Sequence, residues 1–279
     1  MSDFFSAIIT KEEIFYNLKH NNHTSLLQEN NIDVTTLNPN FIRIELLPPN
    51  KNYFETDIEK WKLKIDQDIL PKWYCFNDLE KRIKEKFKNE IFKKVIFINQ
   101  KDIVIRQKNV YLKNSSAELH DNSSAELYNN SSAELYNNSS AKLHGYSSAK
   151  LYDGSSAKLF DDSSTELHGN SSAELFDDSS AELYGDSSAE LYNNSSAKLH
   201  GYSSAELYDN SSAKLYNNSS AKLYSDSSAE LYDDSSTELH GNSSAELCDN
   251  SSAKLYDNSY YLKEKTFYTK SEQYKLKQI

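Results

Sequence analysis

From Ser115 onward, small or apolar residues alternate with polar or aromatic ones for six positions, the alternation stops at a pair rich in Asp, Asn and Gly, and the pattern returns after eight residues. Eighteen such octads run without a break from Asn114 to Asp257. Numbered one to eight, positions two, four and six hold Ser, Ala (Thr165 and Thr237 replace it) and Leu in every copy. Positions three, five and seven hold Ser, then Glu or Lys, then Tyr, His, Phe or, once, Cys248. Period-two alternation describes a strand with two faces, whereas the Ser pair and the Asp/Asn/Gly pair would break a helix once per repeat. Position five is charged in all eighteen copies, eleven Glu and seven Lys. That face must lie in water, because burying so many charges is prohibitive, and leucine therefore points inward. Junctions such as Asp121-Asn122, Asn137-Asn138, Gly145-Tyr146, Asp153-Gly154 and Gly169-Asn170 tolerate positive φ and are predicted to be corners.

Strands of about six residues with sharp corners and one narrow apolar face can bury that face by winding into a stacked β-solenoid. Two octads per coil predicts nine coils and a rod of about 43 Å at the usual strand spacing; three per coil predicts a shorter prism of six coils. An interior of Ser, Ala and Leu is too small for a triangle and favours two. Asn137–Asp153 returns at Asn193–Asp209 with Lys150 replaced by Glu206, a shift of seven octads. Asp161–Asp177 returns at Asp233–Asp249 with Phe176 replaced by Cys248, a shift of nine. Odd shifts exchange the faces of a two-octad coil, so neither face is specialised for one ligand. Position seven stacks vertically, predicting ladders of Tyr with His120, His144, His168, His200 and His240 interspersed.

Before the repeats the pattern is irregular. Thr10 followed by Glu13 forms a capping-box signature and predicts a helix over 10–19 with Ile14, Phe15 and Leu18 on one face. His23 to Gln28 predicts a further helical turn or two, and Pro39, Pro48 and Pro49 bracket a strand at Phe41 to Leu46. Trp61 to Ile65 alternates as a half-buried strand. Asn77 and Glu80 cap the strongest helix, whose Leu79, Ile83, Phe87 and Ile91 form a buried stripe, while Lys81, Arg82, Lys84, Lys86 and Lys88 read as a solvated face. Val95 to Ile98, Ile103 to Ile105 and Val110 to Leu112 lead into the repeats; the last is predicted to supply the first rungs, with the helix covering the open end. The expected fold is mainly β: residues 1–113 a small α+β N-terminal domain and solenoid cap, 114–257 the octapeptide solenoid, and 258–279 a basic Tyr/Lys-rich cap or tail.

Charge follows the same division. Residues 1–113 carry 19 Lys and Arg against 16 Asp and Glu, the array 7 against 24, and the tail 5 against 2. An acidic rod between mildly basic ends disfavours nucleic acid along its length and suits a protein partner or self-association. Cys75 and Cys248 show no pairing pattern, which with the absence of a basic, apolar leader at the N-terminus points to a reducing, cytoplasmic setting and no membrane. Asn-Ser-Ser at Asn114, Asn122 and further on then fits a glycosylation sequon only as a by-product of the repeat.

The octads resemble the tandem octapeptide-repeat β-solenoids of bacterial and phage proteins, in which such units follow a small N-terminal domain. Trp61-Lys62-Leu63-Lys64-Ile65-Asp66 with Pro71-Lys72-Trp73 resembles the strand and Pro-x-Trp segment preceding those arrays. The resemblance implies a fold and no activity. Ice-nucleation proteins are similar in their eight-residue subperiod and tyrosine ladder, but here charge at position five interrupts any flat row of hydroxyls.

Catalytic signatures are missing. With six glycines in all there is no phosphate-binding loop, and the nine-residue Gly-Asp calcium repeat is absent. His20 and His23 share a spacing suited to metal but lack a third ligand; Cys75, among Trp73, Tyr74 and Phe76, reads as a buried thiol without a base. No catalytic, metal or cofactor residue is therefore assigned, and the expectation is a non-enzymatic structural or interaction protein: an acidic solenoid acting as spacer or scaffold, associating through its ends. Two alternatives are a DNA-mimic inhibitor of a DNA-processing enzyme, since net −17 over the rod compares with about −25 for the same length of duplex, and surface or ice binding.

Overall fold

A computed structural model describes residues 5–19, 22–34, 39–263 and 266–269. The described residues form two compact units, one within 1–98 and 107–111, the other within 99–106 and 112–269.

The first unit is α+β. Strands β1 (Phe5–Thr10), β2 (Ile14–Phe15), β3 (Phe41–Leu47) and β4 (Lys62–Ile65) make an antiparallel sheet in the order β2-β1-β3-β4. The helix expected over 10–19 is instead a hairpin. Thr10 Oγ1 does accept the Glu13 N–H at 3.0 Å, as a capping box requires, but Thr10 N–H donates to Glu13 O at 2.9 Å and closes a turn between strands. The fully buried run Phe5 to Ile9, part of a strand the alternation did not reveal, draws the segment into the sheet. His23–Glu29 is helical (α1), capped by Asn22, and the strands at 41–47 and 62–65 stand where the pattern placed them. Helix α2 (Phe76–Lys86) begins at Cys75 without a side-chain cap; Asn77 lies inside it, not at its N-cap. It continues through a π turn (Phe87–Ile91) into α3 (Phe92–Val95). Leu79, Ile83, Phe87 and Ile91 are all buried. Their strict four-residue spacing exceeds the 3.6 of an α-helix, and a turn with i→i+5 bonds takes up the difference. Phe87 lies 5.1 Å, centroid to centroid, from both Phe5 and Trp61, at the centre of the core. Lys84 departs from the solvated face: it is buried, donates to Glu59 O at 3.0 Å and pairs with Glu80 at 3.0 Å.

In the second unit each octad is one strand, from Ser116–His120 to Ser252–Leu255, and each pairs in parallel with the strand sixteen residues away, Ala133 opposite Ala149 and Leu135 opposite Leu151. Alternate octads therefore build two sheets, and two octads complete a coil. Ile103–Arg106 is already a rung: Ile105 stands opposite Leu119 and Arg106 opposite His120, so this sheet starts before the first octad. At the other end Tyr260–Lys263 adds the last parallel rung, and Thr266–Thr269 folds back antiparallel against it, giving twelve strands. Lys263, opposite Leu247, ends the leucine row and donates to Ser251 O at 3.4 Å.

Every octad leucine is buried, and the position-two serines are buried beside them. A hydroxyl in that row needs a partner, and most find the carbonyl of the preceding position seven, as in Ser123 to His120 O at 2.6 Å and Ser195 to Tyr192 O at 2.6 Å; Ser219 and Ser243 donate to the carbonyls of Leu199 and Leu223, and the Ser155 hydroxyl is left unpaired. Thr165 and Thr237 each donate to an alanine carbonyl one coil below at 3.1 Å. Position eight has positive φ in all eighteen octads, whether occupied by Asp, Asn, Gly or Ser225. Position one lies in that region as well in nine, among them Asn122, Asn138 and Gly154; Tyr146 and Tyr202, each after a glycine, do not.

Candidate functional site

The chemistry of the second unit lies on its two outer sheet faces and at its corners. On each face positions three, five and seven form three parallel columns. Across the twelve-stranded sheet the columns of position three and position five enclose a half-open trough of about 1020 Å³, running from Ser116 and Glu118 to Ser244 and Glu246.

Position five looks like a random mixture of Glu and Lys along the chain; in space it is ordered. All seven octad lysines pair with a glutamate one coil away: Lys142 with Glu126, Lys150 with Glu166, Lys158 with Glu174, Lys198 with Glu182, Lys214 with Glu230, Lys222 with Glu206 and Lys254 with Glu238. Distances run from 2.6 Å in Lys158–Glu174 to 3.8 Å in Lys222–Glu206. Where two lysines are neighbours in a column, as Lys198 and Lys214 are, each turns to the glutamate on its far side. The hydrogen bond to Lys198, with a second from Tyr184, holds the Glu182 carboxyl below its ordinary range; Lys214 and Tyr232 do the same to Glu230. The offset of sixteen was open to inspection in the sequence, but it has meaning only once two octads per coil is known.

Position seven forms two ring columns. In the twelve-stranded sheet it runs His120, Tyr136, Tyr152, His168, Tyr184, His200, Tyr216, Tyr232, with Cys248 in the next place; in the other it runs from Tyr128 through His144, Phe160 and Phe176 to Tyr256. Successive rings are 4.4 to 5.3 Å apart and nearly parallel. Several phenols also donate to the glutamate two residues before, Tyr192 to Glu190 at 2.6 Å and Tyr232 to Glu230 at 2.8 Å among them. These bonds push the phenol pKa of Tyr136, Tyr192 and Tyr232 up to about 12. Burial pushes the His144 imidazole down against weaker opposition from Glu126 and Asp161.

Comparison with protein-family profiles, with characterised proteins and with solved structures finds no match. Cys75 is exposed, contrary to the buried thiol expected, while Cys248 is half-buried within a ring column. Nε2 of His23 bonds to Ile44 O at 2.9 Å and its Nδ1 lies 3.4 Å from Asp66, so both nitrogens are occupied within the fold; His20 lies outside the described residues. Among the described residues no three of His, Cys, Asp and Glu converge on a point suited to a metal ion, and no helix is long and apolar enough to cross a membrane.

Proposed function

We propose that the chain is a structural or protein-interaction protein without catalytic activity, its solenoid a spacer or scaffold and its specificity located at the ends of that solenoid. One observation carries this reading: the polar chemistry of the array is turned inward on itself. Lysines face glutamates of the next coil, rings stack on rings, and buried serines bond corner carbonyls. A coil that pairs its lysines, its rings and most of its buried hydroxyls within the array gains length by addition of copies without acquiring new chemistry, which is what a spacer requires. Segment 258–279, where the octad is abandoned and lysine becomes frequent, suits contact with an acidic array from a second copy. The test is sedimentation velocity of the full chain beside one ending at Asp257, each at low and high salt. Association that weakens with salt and disappears on truncation supports the scaffold; two monomers under all conditions remove self-assembly and leave the spacer.

DNA mimicry is favoured by one specific feature. The faces of the array, eleven Glu against seven Lys, are nearly balanced, and the thirteen corner aspartates carry most of the acidity, six along one edge of the coil and seven along the other. Two acidic rails resemble the two phosphate strands of a duplex. Salt-sensitive binding to DNA-processing enzymes, lost when corner aspartates are changed to Asn, is the outcome that this reading requires.

A further inference from the structure

We propose that the ring column of the twelve-stranded sheet is a one-electron conduit, carrying an oxidising equivalent along the solenoid to the thiol of Cys248. Tyrosine is the only readily oxidised ring in either column, so connectivity depends on how far apart tyrosines fall. In this column they are never separated by more than one other ring. Tyr136 and Tyr152 stack at 5.1 Å and Tyr216 and Tyr232 at 5.0 Å; His168 bridges Tyr152 and Tyr184 in steps of 4.9 and 5.0 Å. The second column is cut. Between Tyr128 and Tyr192 stand His144, Phe160 and Phe176, four steps of 4.7 to 5.3 Å with no oxidisable ring.

Proton acceptors are in place as well. A phenol loses an electron far more readily when a base takes its proton, and Tyr136, Tyr184 and Tyr232 each donate to a glutamate carboxylate within their own octad. The steps balance. A one-electron oxidant, of the class of a photo-excited metal complex or an organic radical, takes an electron from a tyrosine, whose proton passes to the glutamate, leaving a phenoxyl radical and a neutral carboxyl. The next tyrosine supplies an electron to that radical, and the carboxyl returns its proton. At Tyr152 and Tyr216, whose octads carry Lys150 and Lys214 at position five, the half-exposed phenol releases its proton to water and takes one back from water when the radical is reduced. The phenoxyl of Tyr232 finally takes an electron from the Cys248 thiol and recovers its proton from the Glu230 carboxyl, while the thiol proton passes to water, leaving a phenol, a carboxylate and a thiyl radical. Cys248 occupies position seven on the next rung, its N–H donating to Leu231 O at 2.9 Å, so its side chain stands where the next ring would be. In the duplicated segments Asp161–Asp177 and Asp233–Asp249 the only difference is Phe176 against Cys248, a ring replaced by a thiol at the end of the connected column.

The experiment uses the full chain carrying Cys75→Ser, which leaves one thiol. It is oxidised by a flash-excited ruthenium polypyridyl with a sacrificial electron acceptor, and thiyl radicals are spin-trapped and counted. Two double variants are compared with it: Tyr216→Phe with Tyr232→Phe in the connected column, and Tyr208→Phe with Tyr224→Phe in the other. Phe already occupies position seven at Phe160 and Phe176, so stacking survives, and matching thermal melts verify it. The expected result is a several-fold loss of thiyl adduct in the first variant, with longer-lived tyrosyl radical, and an unchanged yield in the second. Equal thiyl yields in all three proteins mean that Cys248 is oxidised directly, and equal losses in both variants mean that column identity is irrelevant; either overturns the conduit.

Discussion

At position eight the backbone must pass through positive φ once per octad, and the residues found there are those for which that conformation is least costly. Ser225 is the exception among Asp, Asn and Gly, with φ of 57°. Changing Ser225 to Gly is expected to stabilise the protein by about 1 kcal/mol, read as a higher melting temperature. Gly241→Ala is expected to do the reverse by a similar amount or more, because an added Cβ would also meet Ser225 N at 3.2 Å. His144 supplies a residue-scale dependence on pH. Burial holds its imidazole below the ordinary 6.5, so the folded state favours the neutral ring. Its contribution to stability is therefore complete above that value and is lost as pH falls through the folded pKa. His144→Phe is expected to flatten the fall of unfolding free energy between about pH 8 and 5, measured by urea titration at each pH. The corners were legible because Asp, Asn and Gly are chosen by local backbone geometry. The hydroxyl bonds of the buried serines were not, because their partners become available only when the corner has formed.

Among the elements, those whose pattern is set by one buried face were legible, and those decided by tertiary competition were not. Phe41–Leu47 and Lys62–Ile65 declared themselves through flanking prolines or alternation. Thr10 and Glu13 make the same Oγ1 to N–H bond at a hairpin turn that they would make at a helix start, so the motif could not decide between them. Burial of Phe5 to Ile9 decided it. Likewise the stripe of α2 was visible but its π turn was not, since a spacing of four is read as helical either way. Within the solenoid the element-scale prediction concerns the leucine row. Leu183, fully buried mid-array, stacks between Leu167 and Leu199. Its neighbours are held by the backbone ladder and cannot collapse into the space left by truncation. Leu183→Ala is expected to cost about 2–5 kcal/mol, against less than that for Leu255→Ala on the last octad strand, both measured by equilibrium denaturation.

For the molecule as a whole, the unit of construction is the sixteen-residue coil, and its integrity depends on phase more than on any one side chain. Each exposed Lys–Glu pair contributes little by itself, yet all seven octad lysines are placed so that a glutamate lies one coil above or below. Removing Asp178–Asn193 takes out one coil and joins Asp177 to Asn194, corner to corner. Lys198 then faces Glu166 in place of Glu182, the leucine and serine rows stay continuous, and the solenoid shortens by about 4.8 Å. Removing only Asp178–Ala181 deletes fewer residues but puts the next corner in mid-strand and ends both buried rows at the junction. The longer deletion is thus expected to be the milder one: a cooperative melt near that of the full chain and a denaturant slope lowered in proportion to the surface lost. The four-residue deletion is expected to lower the melting temperature sharply or split the transition in two. If the two deletions melt alike, stability does not depend on the phase of the octad.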